Sequence, residues 1–259
     1  MFLRMSRSLP LALCLLLLVF SHSLFAQSWQ HFAPIADRVG DQPLNTQGLH
    51  LQLPLVSDDG AAVEVSVHFD GQLQAEETLD WIHLFASANP YPDLIRFNLQ
   101  SPRLAPHFTS RIRLNESQRV YALARSSEGR FWLTTRDVRV TVSGCLMRSD
   151  AEAQPSMQQP RIALPRRVSM DQLVDIRTLI NHPMETGLRR DAQDQLFEQN
   201  LVEHLQVSVD NTPLLQVDFF TGTAANPYVV FRWKAQSQTA LHFEWQDQQG
   251  AKVIENRPL

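Results

Sequence analysis

Cys145 is the residue in this 259-residue chain whose type and position most clearly point to chemical reactivity. The other of the two cysteines, Cys14, lies within an apolar N-terminal stretch. A single cysteine in an exported protein either pairs with another molecule or serves as a reactive thiol, because the thiolate is a strong nucleophile. Cys145 follows Gly144 at the end of a long strand-like run rather than inside it. This position makes Cys145 the best functional clue in the chain, and a small buried hydrophobic residue is the alternative interpretation.

The N-terminal residues have the organisation of an export signal. Arg4 and Arg7 precede an apolar run at residues 9–20, and Ala26 supplies a small residue for cleavage. A run of about a dozen apolar residues is shorter than the roughly 20 that a membrane-spanning helix needs. We therefore predict a signal peptide at residues 1–26, a periplasmic location and no stable insertion into the membrane.

The composition argues against several classes of function. The formal net charge is −4, and no basic block is present, so the chain offers no sign of a nucleic-acid surface. The 9 glycines form no Gly-rich phosphate loop, and the 9 histidines show none of the spacings typical of a zinc site. We therefore predict no metal, no cofactor and no nucleic-acid partner.

Apolar residues beyond the signal segment mostly alternate with period two, which indicates β-strands. Val63, Val65, Val67 and Phe69 mark one face of a strand that is flanked by turn-forming Asp-Gly pairs. Further strands of the first half are predicted near residues 79–85, 94–99, 108–114, 120–124 and 130–142. Short strands at this spacing are typical of an immunoglobulin-like sandwich.

A polar segment at residues 149–160 interrupts the alternation and is predicted to be a linker. It separates residues 27–148 from residues 161–259, and each part is long enough to bury a core of its own. The sequence therefore predicts an all-β protein with two immunoglobulin-like β-sandwich domains in tandem.

The second half repeats the β pattern with one exception. Leu241, Phe243 and Trp245 share one face of a predicted strand. Residues 183–200 lack alternation and are predicted to form a long loop.

Several strings of residues carry a family resemblance. In the second half these are Ile-Asn-His-Pro-Met-Glu-Thr-Gly at 180–187, Ala-Ala-Asn-Pro-Tyr at 224–228 and Phe-Glu-Trp-Gln-Asp at 243–247. They resemble SoxZ, one half of the periplasmic sulfur-oxidation carrier. In the first half, Ala-Asn-Pro-Tyr-Pro at 88–92 and the run that ends at Cys145 resemble SoxY. The chain is similar to a fused SoxYZ-like carrier of the kind associated with quinoprotein dehydrogenases.

The resemblance implies a carrier rather than an enzyme. In SoxY, a cysteine on a glycine-rich C-terminal arm holds the sulfur substrate covalently and visits successive enzymes, and Cys145 with Gly144 matches that position. It also implies that the two domains pack against each other within one chain. His182, Pro183 and Met184 are then expected to form an interdomain or partner-docking loop.

One departure from the family leaves a second function open. The SoxY arm ends the chain with glycines on both sides of its cysteine, whereas Leu146 and Met147 follow Cys145 and the chain continues. The first hypothesis is therefore a periplasmic carrier that presents a thiosulfate-type intermediate to sulfur-oxidation enzymes. The alternative is a non-covalent adaptor for a quinoprotein (PQQ) dehydrogenase or its cytochrome, in which Cys145 is incidental.

Overall fold

The computed structural model describes residues 28–143, 157–165, 167–191, 193–236 and 239–258. The chain divides into two compact units, Met1–Asp41 and Gln42–Leu259. The described part of the first unit contains a 3₁₀ turn at Ser28–His31 and a helix, α1, at Ala33–Val39. Pro34 lies in the first turn of α1, where a missing N–H costs no helical hydrogen bond. No helix among the described residues is long and apolar enough to cross a membrane.

The second unit contains all the described strands. Those of the first half are β1 Leu44–Asn45, β2 Leu49–Gln52, β3 Val56–Ser57, β4 Val63–Phe69, β5 Leu79–Ala86, β6 Asp93–Leu99, β7 Leu104–Ile112, β8 Gln118–Ser126 and β9 Phe131–Val140. Those of the second half are β10 Gln158–Ala163, β11 Leu173–Asn181, β12 Val202–Val209, β13 Thr212–Phe219, β14 Tyr228–Lys234, β15 Ala240–Asp247 and β16 Lys252–Pro258.

These strands form two sheets, and each sheet contains strands of both halves. The ten-stranded sheet has the order β1-β9-β8-β5-β6-β13-β12-β15-β16, and β3 also pairs with β9. The six-stranded sheet has the order β10-β11-β14-β7-β4-β2. The prediction of an all-β protein with packed immunoglobulin-like sandwiches is confirmed. The halves pack by joining edge to edge, through the antiparallel pairs β6–β13 and β7–β14.

One hydrophobic core runs through both halves. Where the halves meet, Phe97 of the ten-stranded sheet stacks on Phe108 of the six-stranded sheet, with ring centroids 4.4 Å apart. Strand register sets Val217 opposite Phe97 and Phe231 opposite Phe108, so the second half flanks this stack on both sheets. All four side chains are buried, and their burial stabilises the joint by the hydrophobic effect.

The strand faces predicted from alternation are confirmed. Val63, Val65 and Val67 are each 1% exposed, and Leu241, Phe243 and Trp245 are fully buried. Because successive strand residues point to opposite faces, period-two alternation identifies the core-facing set directly. The long loop is also confirmed, since the described residues between β11 and β12, 182–191 and 193–201, contain no helix and no named strand.

Seven described elements were not predicted: the 3₁₀ turn, the helix α1, the short strands β1, β2 and β3, and the edge strands β10 and β16. β10 begins at Gln158, so it overlaps the last residues of the predicted linker at 149–160. β16 shows only half-buried and exposed residues in alternation, because it is the last strand of its sheet and has weak hydrophobic contrast.

Candidate functional site

Cys145 and Gly144 lie outside the described residues, so the structure describes the segment that leads to them. Strand β9 ends at Val140, and residues 141–143 continue from it. We call residues 141–143 the stem. The stem is exposed to solvent, yet every residue in it hydrogen-bonds to a neighbouring loop.

On one side, the stem is held by the loop after β3. The N–H of Thr141 donates to the carbonyl oxygen of Ser57 at 3.0 Å, and the carbonyl oxygen of Val142 accepts from the N–H of Gly60 at 2.9 Å. These are strand-like contacts that continue the parallel pairing of β3 with β9. The backbone is therefore fixed until two residues before Cys145.

On the other side, the stem is held by the loop between β7 and β8. The hydroxyl of Ser143 donates to the carbonyl oxygen of Asn115. One residue before the stem, the N–H of Val140 donates to the hydroxyl oxygen of Ser117 at 3.0 Å. The last described residue before Cys145 is thus attached to the loop at residues 113–117.

Asn89 organises this loop from the Ala-Asn-Pro-Tyr string of the first half. Its amide nitrogen donates to the carbonyl oxygen of Arg113 at 2.9 Å, and its amide oxygen accepts from the N–H of Asn115 at 3.1 Å. The side chain of Gln118 also donates to that amide oxygen, at 2.9 Å. One side chain therefore fixes both ends of the loop that holds the stem.

Arg113 connects this loop to the second half of the molecule. Its guanidinium donates to the carbonyl oxygens of Met184 at 2.8 Å and Pro183 at 2.9 Å. Burial lowers the pKa of Arg113 to about 10, partly opposed by the negative charge of Glu185. Arg113 remains charged at neutral pH, and its donors are used to hold the loop that contains Pro183 and Met184.

His182 precedes that loop and is buried, with 2% of the residue exposed. Its Nδ1 accepts from the N–H of Met184 at 3.0 Å, so the neutral ring carries its proton on Nε2. Nε2 lies 3.9 Å from Oδ2 of Asp247. Burial lowers the pKa of His182, Asp247 raises it and Arg113 lowers it. The ring is therefore neutral at neutral pH and enclosed, which suits a structural role better than that of a general base.

Asn226 repeats the role of Asn89 in the second half. Its side-chain oxygen accepts from the N–H of His182 at 3.1 Å, and its own N–H donates to the carbonyl oxygen of His182 at 2.8 Å. Asn226 has a φ of 55°, a left-handed conformation that asparagine tolerates better than most residues. The repeated Ala-Asn-Pro-Tyr string thus fixes one loop in each half.

The loops at residues 57–60, 88–91, 113–117 and 182–187 are linked by these contacts, and we call them the rim. A crevice in the rim is lined by Tyr91, Arg113 and Leu188 and encloses about 10 Å³, which is room for about one water molecule. The rim is therefore suited to contact with another surface rather than to enclosing a substrate.

Sequence reasoning selected His182, Pro183 and Met184 but missed the residues that hold them. Arg113, Asp247 and the two motif asparagines come from other parts of the chain and lie 44 to 93 residues from His182 in the sequence. The repeated Ala-Asn-Pro-Tyr string was the available sign, because a shared string in two halves indicates a shared structural task. Strand pairing between the halves was needed to connect Arg113 with the loop.

Two family models match the chain. Residues 35–145 match the model of the sulfur oxidation protein SoxY, and residues 162–256 match that of the sulphur oxidation protein SoxZ. The chain is a SoxYZ-like fusion. The SoxY match ends at Cys145, and the SoxZ match contains the loop at residues 182–187. The two domains support a role as a sulfur-oxidation carrier.

Solved structures with similarity to the fusion have low overall superposition scores. The sulfur carrier protein SoxY from Chlorobium limicola f thiosulfatophilum is 24% identical, covers 47% of this chain and 99% of its own, and has a TM-score of 0.36. A superoxide reductase (neelaredoxin) from Ignicoccus hospitalis is 20% identical, covers 37% and 81%, and scores 0.33. A lipoprotein from Bacteroides thetaiotaomicron is 15% identical, covers 44% and 87%, and scores 0.25. None of the curated proteins matches the chain.

Proposed function

We propose that this SoxYZ-like fusion is a periplasmic carrier that holds a sulfur-containing intermediate covalently on Cys145 and presents it to partner redox enzymes. The observation that carries the proposal is the position of the stem: the SoxY match ends at Cys145, and the stem two residues before it is attached to the same rim as the SoxZ loop at residues 182–187.

The covalent step is an oxidation. The Cys145 sulfur forms a bond to the terminal sulfur of thiosulfate, and one proton and two electrons leave the pair. The thiolate is the attacking species. The electrons pass to an acceptor outside the carrier, which is a haem-type acceptor of a partner enzyme in the cell. The carrier itself needs no redox group for this step.

The anchoring of the stem limits how far the cysteine travels. An extended residue spans at most about 3.6 Å, so the Cα atom of Cys145 lies within roughly 7 Å of that of Ser143. A partner enzyme therefore has to come to the rim. Tyr91 is 50% exposed beside the rim crevice, and such a half-exposed aromatic side chain is typical of contact surfaces.

Intact mass spectrometry tests this function. The folded chain is treated with iodoacetamide, and separately with thiosulfate plus ferricyanide as the electron acceptor. We expect rapid alkylation of Cys145 and a mass increase of one thiosulfate that a thiol reductant removes. Both the parent chain and the control, Cys145→Ser, carry Cys14→Ser so that Cys145 is the thiol under test, and the control should gain neither mass. A wild-type thiol that reacts only after unfolding would contradict the carrier.

The non-covalent adaptor is the second candidate, and one observation favours it. The chain is fixed at Ser143 and again at Met157, which is buried with 7% exposed, so Cys145 is not on a free terminal arm. In an adaptor for a quinoprotein dehydrogenase or its cytochrome, Cys145→Ser would leave partner binding and cellular activity intact. In a carrier, the same variant would keep partner binding but abolish sulfur-dependent activity.

A further inference from the structure

Three histidines form a row across the outer face of the six-stranded sheet, away from the rim contacts described above. Strand register pairs His50 of β2 with His68 of β4, and His68 with His107 of β7. The His50 and His68 rings stack with centroids 4.4 Å apart and planes at 12°, and the His68 and His107 centroids are 5.5 Å apart. The sequence positions are far apart, so only the strand pairing brings these rings together.

Asp70 adds a carboxylate to one end of the row. It follows β4 and lies two residues beyond His68, so both side chains belong to the same face of the sheet. Oδ1 of Asp70 lies 2.8 Å from Nε2 of His50. Asp70 is held in place by a hydrogen bond from its N–H to the carbonyl oxygen of Gly48 at 2.9 Å.

The backbone segment at Gly48 and the segment that follows Asp70 approach each other so closely that each has glycine at the contact. Gly48 has a φ of 90°, and a Cβ atom there would lie 2.4 Å from the Cα atom of Gly71. That distance is far inside van der Waals contact, so a side chain at position 48 would force the two backbones apart. The close approach keeps the carboxylate of Asp70 beside His50.

We propose that His50, His68 and Asp70 form a binding site for a divalent transition-metal ion of the Zn²⁺ or Cu²⁺ class. One donor atom of each residue lies within 4.8 Å of the other two, and among the described residues this is the one such group of three. Two imidazoles and one carboxylate are a donor set that suits zinc, copper and nickel rather than magnesium or calcium. Half-exposed side chains can rotate by the small amount that convergence on one ion requires.

Neighbouring residues define the extent of the site. His107, the next ring in the row, has its Nδ1 3.4 Å from Nη1 of Arg232, and Arg232 in turn pairs with Asp175 at 2.7 Å. The positive charge of Arg232 disfavours a cation at His107. The ion is therefore held by three protein donors at the β2–β4 end, and its remaining positions are open to water or to an external ligand.

Titration of the untagged full chain with Cu²⁺ and Zn²⁺ tests the site. The doubly substituted Cys14→Ser, Cys145→Ser chain is used as the background so that neither thiol competes for metal. We expect one Cu²⁺ per chain with nitrogen superhyperfine splitting from two imidazoles in the electron paramagnetic resonance spectrum. His50→Asn and His68→Asn should each weaken binding by about 100-fold or more, which exceeds the usual effect of losing a residue that only orients a ligand.

Two further variants keep the test decisive. Asp70→Asn should also weaken binding by about 100-fold or more, because it removes the charged third donor. His242→Asn, at a half-exposed histidine of the ten-stranded sheet, should change nothing. Zn²⁺ should also raise the melting temperature of the background protein but not that of the doubly substituted His50→Asn, His68→Asn protein. If one variant does not fold, the other single variant supplies the comparison. Absence of stoichiometric binding, or unchanged affinity in a folded His50→Asn or His68→Asn protein, would overturn the proposal.

Discussion

The SoxY and SoxZ domains are joined by two seams of different chemistry. In the ten-stranded sheet, β6 and β13 pair in regular register from Leu99 with Leu215 to Ile95 with Phe219. Its polar face is an ion-pair network in which the carboxylate of Asp218 accepts from Arg96 at 2.7 Å and from Asn98 at 2.8 Å. This seam ends without a described contact to the stem.

In the six-stranded sheet, β7 and β14 pair with a register shift between Phe231 and Arg232. The chain continues past this pairing to Arg113, whose guanidinium holds the carbonyl oxygens of Pro183 and Met184. The ten-stranded seam therefore contributes to joining the domains, whereas the six-stranded seam also connects that joint to the rim next to Cys145. Substitutions at the two seams should separate stability from presentation of the cysteine.

Arg113→Ala is expected to have the largest effect. It leaves two partly buried carbonyl oxygens without their donor and removes packing. Each unsatisfied buried group costs about 1–3 kcal/mol, so we expect a loss of about 3 kcal/mol in the free energy of unfolding. Alkylation of Cys145 should also change in rate, because Arg113 is bonded to the loop that holds the stem. Urea unfolding and timed iodoacetamide labelling measure the two effects.

Arg111→Ala is the matched control for that substitution. Arg111 lies two residues earlier and places its guanidinium 4.9 Å from the centre of the Tyr228 ring. A half-exposed cation–π contact contributes about 0.5–1 kcal/mol. Equal destabilisation by the two variants would contradict the special role of Arg113.

Asp218→Asn is expected to have an intermediate effect, about 1.5 kcal/mol at neutral pH, with no change in Cys145 labelling. Burial raises the pKa of Asp218, but hydrogen bonds from Gln216, Asn98 and Arg96 outweigh burial and lower it from 3.8. A carboxylate with a lowered pKa contributes stability above its unfolded pKa and loses it as the pH falls. The difference in the free energy of unfolding between the wild type and Asp218→Asn should therefore become smaller as the pH falls below 3.8.

Asp175→Asn tests whether loss of an ion-paired carboxylate destabilises the protein only when that carboxylate is largely buried, as that of Asp218 is. Asp175 and Arg232 form an ion pair at 2.7 Å in which both side chains are 41% exposed. Solvent screens such a pair, so we expect a change below about 0.5 kcal/mol in urea unfolding at pH 7. A loss as large as that of Asp218→Asn would show that exposure does not distinguish the two pairs.

The titration of His182 beside the six-stranded seam is expected to make the free energy of unfolding depend on pH. Its pKa is lowered from 6.5, chiefly by burial. The unfolded chain therefore binds the proton more readily, and stability is lost as the pH falls below 6.5. We expect the free energy of unfolding to fall between about pH 6.5 and 5.5. Burial also lowers the pKa of His68 and His107, so His182→Gln should reduce this slope rather than abolish it, and His242→Gln should preserve it.

The sequence predicted the strands of the core but not the way in which the halves meet. Alternation identified the buried strand faces that contain Val63 and Phe243, because a half-buried strand has apolar residues at every second position. The pairing of β7 with β14 depends on contacts between distant segments, which periodicity does not encode. For the same reason, neither the role of Arg113 nor the cluster of His50 with His68 was predicted.

The candidate site divides in a similar manner. The loop at residues 182–187 was found from its family string, whereas the roles of Asn89 and Asn226 were missed although both lie in the repeated tetrapeptide. The proposals for Cys145 and Gly144 remain predictions, because both residues lie outside the described part of the chain. What could not be predicted was the series of contacts from Ser143 to Met184, since it combines side chains of the first domain with backbone carbonyl groups of the second.

The shared sheets also impose an order on synthesis. As the nascent chain emerges, the SoxY domain appears first, with the backbone groups of β6 and β7 facing water along two unpaired borders. Strands with open borders invite self-association. Strands β13 and β14 of the SoxZ domain later pair with both of these edges. A truncated product that ends near residue 148 would therefore be prone to aggregate. Fusion of the two domains provides one SoxZ domain for every SoxY domain that is made.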